Sequence, residues 1–412
     1  VLSLAAGVLA AEASVRVLNS MRGSRWIAED VRAELLRARD QNRPFTVQAA
    51  TSWFENPAEA ALHLHPFFAW ETGARDSELD AELVFERSPE RRSAYTLLIL
   101  GGSVAECFGI ERQGIAPLRE VLAADPRFSD KRLHVCSFGR GGNKEPQQLN
   151  RLSYLLALGI RPDGVLVLDG FNEVAMGRKN STQGVHPVFP SSPHWAFLAS
   201  STASDRAGLD MLIDLRAAQR DLDADCDLAL RWRLEYSALL GGMILGRVRA
   251  LQRSCAALQD ACTHHLTELS DTVVRGPAFS GDARDAMDAC VRAWAECSRT
   301  MQDICRARSI HYLHVLQPTL HDAGSKVATA GEIAVGNMDA AWMEGVEIGY
   351  PMLREAGRRL CEQHVNFLDA SRIFEHETQA LFRDAAHLRP VGNRMLAQAI
   401  GRAFLDSMPR ER

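Results

Sequence analysis

The chain predicts an α/β fold, a three-layer α/β/α sandwich on five parallel strands, with a helical insertion. Three observations carry this. Short apolar runs without polar alternation recur at residues 97–100, 133–136, 164–168, 312–316 and 365–368. Strands of that kind are buried on both faces, as in parallel sheets covered by helices. Helical segments fall between them, including residues 115–124 and 146–158, and strand-helix-strand alternation of this sort builds right-handed crossovers.

The elements follow in order. Residues 1–11 carry no charge, and the apolar run ends at Glu12 and Arg16. That is too short for a hydrocarbon core of ~30 Å, yet a helix apolar all round suits lipid. Residues 1–18 are therefore read as the remnant of a membrane anchor; an amphipathic helix packed on the domain is the alternative. Residues 19–92 read as an N-terminal extension. It holds a charged helix near 27–40, then turn residues at Asn42-Arg43-Pro44 and Asn56-Pro57. The aromatic cluster His65-Pro66-Phe67-Phe68-Ala69-Trp70 is expected to cap the core edge, with a substrate-lining role as the alternative. Arg87-Ser88-Pro89-Glu90-Arg91-Arg92 reads as a solvated loop before the first core strand.

The core is expected over 93–180 and 307–408. Between them, 181–306 opens on Pro187, Pro190 and Pro193 and turns helical over about 204–262 and 282–307, with Arg275-Gly276-Pro277 and Ser280-Gly281 as the turn. With 412 residues and a formal charge of −5, size allows one large domain with an insertion, or two domains. No basic stripe stands out, which argues against a nucleic-acid partner.

Nine cysteines are present, and Cys255/Cys262 and Cys290/Cys297 are each seven apart. Each pair would lie on one helical face. An antiparallel hairpin centred near Gly276 would set Cys255 against Cys297 and Cys262 against Cys290. Two such disulfides need an oxidising compartment, in keeping with an anchored, extracytoplasmic domain; reduced thiols on apolar helix faces are the alternative. His264-His265 gives no metal site by sequence, because adjacent helical side chains point apart and no third ligand is evident.

Four segments carry chemistry. Gly101-Gly102-Ser103 follows the first core strand, where glycine permits a sharp turn and a helix N-terminus favours developing negative charge. Gly139 lies in the glycine-rich stretch after the second strand, and Gly170-Phe171-Asn172-Glu173 ends the third. Either can supply an N–H donor to an oxyanion. Asp384-Ala385-Ala386-His387 precedes the last helix; that offset in a turn lets a carboxylate orient an imidazole. Taken singly, these also read as an ordinary turn, a helix cap and a surface loop.

In order and together, the four blocks resemble the SGNH (GDSL-type) hydrolases over about residues 95–180 and 308–405. The resemblance implies a flavodoxin-like five-stranded sheet, Ser103 as nucleophile, His387 as base and Asp384 as its orienter. It also implies an oxyanion hole from the Ser103 and Gly139 amides and the Asn172 side chain, and it calls for no metal or organic cofactor. Gly102 departs from the Asp of the family name, Ser137 from a commoner Asn, and Glu173 from a frequent Asp. The expected activity is ester hydrolysis through an acyl-enzyme. O-acetyl groups of a glycan are the favoured substrate, by likeness of architecture to envelope proteins that act on O-acylated glycans. Transfer to a glycan, lipid ester or thioester hydrolysis, and a non-catalytic glycan-binding module are the alternatives.

Overall fold

The computed structural model describes residues 2–21, 26–42, 62–72, 77–192, 206–268 and 278–408. The turns expected at Arg43-Pro44, Asn56-Pro57 and Arg275-Gly276-Pro277, Pro193 and the side chain of His264 lie outside them. The chain divides into two compact units, Leu62–Trp195 with Val273–Arg412, and Val1–Ala61 with Ala196–Thr272.

The first unit is the α/β sandwich. A hairpin of β1 (Leu62–His65) and β2 (Ala69–Thr72) precedes five strands: β3 (Ala94–Gly101), β4 (Arg132–Ser137), β5 (Gly164–Asp169), β6 (His311–Leu316) and β7 (Phe367–Asp369). They pair in the order β4-β3-β5-β6-β7, every neighbour parallel. This is the flavodoxin-like order, whose chain reverses direction between β3 and β5 and so opens a crevice beyond their carboxyl ends. Every residue of β3 and β5 is buried, whereas edge strand β4 mixes buried and partly exposed positions. That is why the central strands read as unbroken apolar runs.

Two groups of helices flank the sheet. Phe171–Thr182, Ala283–Ala307 and Ala340–Glu362 pack together, and Ala116–Ala123 packs with Pro390–Ser407. Ala283–Ala307 starts on a reciprocal Asp282/Asp285 cap and buries Cys290, Trp294, Cys297, Met301 and Cys305, one stripe of a helix facing the core.

That helix corrects two expectations. It belongs to the sandwich as the crossover into β6, not to an insertion running from 181 to 306. Ala238–Glu268 belongs to the other unit, where it packs against Arg206–Arg231. All nine cysteines are free thiols, Cys255, Cys262, Cys290 and Cys297 included. Cys290 packs on Gly177 and Cys297 faces Glu145. The seven-residue spacing in Ala283–Ala307 comes from the core-facing stripe, where cysteine serves as a small apolar residue. The disulfide argument for an oxidising compartment therefore falls.

The second unit is helical: Leu2–Met21, Ala28–Asn42, Arg206–Arg231 and Ala238–Glu268. Its core includes Val31, Leu35, Leu222, Cys226, Leu245 and Val248. Glu12 caps Ala238–Glu268 by accepting the N–H groups of Ala238 (2.8 Å) and Leu239 (2.9 Å). The expected extension 19–92 is thus split, its first helix here and its hairpin in the sandwich. Among the described residues, no helix is long and apolar enough to cross a membrane.

Candidate active site

The four predicted blocks meet at the carboxyl end of the sheet. β3 ends on Gly101 with φ of 144°, and a Cβ there would collide with the Leu168 carbonyl of β5. Only glycine accepts both conditions. Gly102 follows, and a Cβ on it would strike the Asn172 side-chain amide. The Gly-Gly pair thus brings the β3 turn against the β5 loop and sets Ser103 at the start of the helix Ser103–Phe108. The absence of a side chain at position 102 is what lets Asn172 approach.

Ser103 Oγ lies 2.8 Å from His387 Nε2, although the two are 284 positions apart. On the other side of the ring, His387 Nδ1 is 2.8 Å from Asp384 Oδ2 and 3.0 Å from Oδ1. Burial by itself would raise the Asp384 pKa. The facing imidazole and the N–H groups of His387 (2.8 Å) and Ala386 (2.9 Å) outweigh it and hold the carboxyl at about 2. An ionised carboxylate only accepts, so Nδ1 carries the imidazole proton and Nε2 turns its lone pair to the serine hydroxyl. That is the tautomer a general base needs.

The Asp384–His387 turn is braced from below. Arg383 N–H donates to the His387 carbonyl (3.0 Å) and Arg389 N–H to Leu381 (2.7 Å). The Ala385 carbonyl accepts from Thr319 Oγ1 (2.8 Å) and Leu320 N (2.9 Å), in the loop after β6. Glu332 is fully buried beneath. Its Oε1 accepts the N–H groups of Leu381 (2.8 Å) and Phe382 (2.9 Å), and its Oε2 accepts from Lys326 Nζ (3.0 Å) and Thr329 N (2.9 Å). Burial opposes ionisation of Glu332, but these donors overcome it and lower its pKa to about 2.

Glu332→Gln leaves Lys326 buried without its anion, a loss of about 3–5 kcal/mol for a broken buried pair. The Glu332 carboxyl pKa is depressed on folding, so its stabilisation is complete above the ordinary value of 4.5 and fades as pH falls toward about 2. Thermal melts from neutral to acid pH should show the variant lower throughout, with the gap closing in acid.

Gly139 supplies the second predicted donor. Phe138 N–H bonds to Ile99 O (2.8 Å) and Arg140 N–H to Gly101 O (3.0 Å), extending the β3–β4 ladder past its end. The intervening Gly139 N–H points away from β3 and has no acceptor among the described residues. A Cβ on Gly139 would collide with Ala105 and the Glu106 N–H, so its backbone rests on the helix that begins at Ser103. Asn172 is buried and gives one amide hydrogen to the Asn143 carbonyl (2.7 Å). Its second amide hydrogen remains for a ligand. Asn172→Ala should lower turnover by ~10²–10³, the usual effect of one lost oxyanion donor, with the KM for an aryl ester changing far less.

The hairpin clamps the loop that holds Gly139 and Asn143. Glu71 accepts from both Arg140 and Arg151, Arg151 Nη2 reaches Asn143 Oδ1 (3.2 Å), and Trp70 Nε1 donates to the Gly141 carbonyl (2.9 Å). Phe68 and Trp70 are buried and Phe67 is exposed, so the aromatic cluster caps the core edge as expected. The bracing residues Glu332 and Glu71 were not foreseen from the sequence. Thr329-Ala330-Gly331-Glu332 has capping-box spacing, which is the one local signal for the first; Glu71 has none.

Behind Asn172, Glu173 caps its own helix by accepting the Gly170 N–H (2.8 Å) and also accepts from Glu145 N (3.1 Å). Asp169 accepts from Trp294 Nε1 (2.7 Å) and pairs with His314 Nε2 (2.8 Å). Burial, then the nearby Asp169 charge, pushes both Glu173 and Glu145 upward. That upward push on Glu173 and Glu145 is opposite to the shift at Asp384, whose carboxyl is lowered to about 2. Neither a scan against protein-family models nor a search of curated proteins finds a match to this chain.

Proposed function

We propose that this chain is a serine ester hydrolase of the SGNH type. The observation that carries the reading is the unbroken relay from Ser103 Oγ through His387 to Asp384, with 2.8 Å at both junctions. Ser103 attacks the ester carbonyl while His387 Nε2 takes its proton. The tetrahedral oxyanion is met by the Ser103 and Gly139 N–H groups and the Asn172 amide. His387 then protonates the leaving alcohol, and water, activated by the same imidazole, frees the acid. Each step is carried by side chains and backbone amides already gathered in the crevice.

The favoured substrate is an acetyl ester of a carbohydrate. Aryl esters of graded chain length, followed by acetylated sugars, test this. A steep preference for acetyl and release of acetate from a sugar are the expected results; preference for long acyl chains moves the substrate to lipids. Acetate transferred to an added sugar instead of water identifies a transferase on the same residues.

A further inference from the structure

The helix Ser77–Glu86 lies along edge strand β4 and presents Glu78, Glu82 and Glu86, one per turn, on a single face. The outer two have cationic partners: Glu78 pairs with Arg140, and Glu86 with Arg91 (3.4 Å). The middle one pairs with neither lysine nor arginine but with His134. Glu82 is mostly buried, with 14% of its side chain exposed, and no lysine or arginine reaches it among the described residues. It meets the two side chains that β4 turns to the same face instead. His134 Nε2 and Cys136 Sγ each lie 2.8 Å from Glu82 Oε2, and the three atoms fall within 4.8 Å of one another. The Phe85 ring, stacked on the imidazole at 3.6 Å between centroids, holds its plane.

We propose that Glu82, His134 and Cys136 form a binding site for one divalent metal ion, with zinc the best fit and a fourth position left to water. The donor set of one carboxylate, one imidazole and one thiolate matches zinc's ligand chemistry. The charges match too: when bound, two anionic ligands and a neutral imidazole balance a divalent ion. Tetrahedral ligands on zinc stand about 3.3–3.6 Å apart, so the carboxylate oxygen has to withdraw by about half an ångström, and the imidazole nitrogen and the sulfur, which lie within 4.8 Å of each other, have to settle at that spacing. On binding, the Cys136 S–H bond breaks, a metal–sulfur bond forms, and the thiol proton and any imidazolium proton pass to solvent. The site would pin Ser77–Glu86 over the exposed sheet edge.

The test is titration of the chelator-treated full chain with Co²⁺. The expected result is one equivalent bound, with tetrahedral absorption and a thiolate-to-cobalt charge-transfer band. Cys136→Ser should remove that band, and Glu82→Gln and His134→Gln should weaken binding at least tenfold. X-ray absorption of the zinc-loaded wild type, which depends on no variant folding, should find one sulfur among nitrogen and oxygen ligands. Absence of uptake at micromolar metal, a charge-transfer band that survives Cys136→Ser, or a zinc shell with no sulfur or several would overturn the site.

Discussion

Ser103→Ala and His387→Ala should each lower ester turnover on the order of 10⁴ to 10⁶-fold, and the double variant should be no worse than either alone. Nucleophile and base act as one unit: without the imidazole the hydroxyl is not deprotonated, and without the hydroxyl the imidazole has no proton to take. The 2.8 Å contact between Ser103 Oγ and His387 Nε2 makes that coupling physical. What survives is catalysis by the oxyanion donors acting on water. Steady-state kinetics on an aryl acetate, with circular dichroism to verify folding, checks it. Additive losses in the double variant would mean that the two side chains act in different steps. Stability should change little, since Ser103 sits at the mouth of the crevice and His387 is only partly buried.

Asp384→Asn should cost about 10⁴ in turnover while leaving the turn in place. The carboxylate fixes the Nδ1–H tautomer of His387 through Oδ2 at 2.8 Å. A carboxamide can present its own N–H to that nitrogen, which then must accept. The proton moves to Nε2, and the base faces Ser103 with a hydrogen in place of a lone pair. The backbone N–H groups of Ala386 and His387 still find an oxygen at position 384, so the turn geometry persists. The diagnostic is a fall in kcat with KM nearly unchanged, and an equal fall in the rate at which Ser103 is acylated. Asp384 is held at about 2 by His387 and those N–H groups against the effect of burial. The wild type should therefore keep this orienting charge through all mildly acidic conditions.

The sheet is legible in the sequence because burial on both faces erases the polar alternation. Ala94–Gly101 and Gly164–Asp169 contain no solvent-facing position to interrupt the run. The triad is legible for a different reason: Asp384 and His387 are neighbours in one turn, and Ser103 comes directly after two glycines that a strand end needs. Ala283–Ala307 reads as part of the insertion because its amphipathic composition continues that of the helices before it. The clue to its true place is the next element, since β6 begins only four residues after the helix ends. Its cysteines mislead because a seven-residue spacing fits a buried stripe as well as a cross-linked hairpin. Glu332 and Glu71 are hidden by distance. Glu332 supports backbone 49 and 50 positions away, and Glu71 meets arginines 69 and 80 positions away. No local pattern encodes such contacts, so the frame that holds the site emerges only with the fold.

Reactivity of the Ser103 hydroxyl tests the account most directly. A fluorophosphonate probe, combined with peptide mapping, should add one mass increment on the peptide containing Ser103, and folded His387→Ala protein should label far more slowly. A folded wild type that stays unlabelled, or that labels equally fast without the imidazole, would contradict a nucleophile activated by His387.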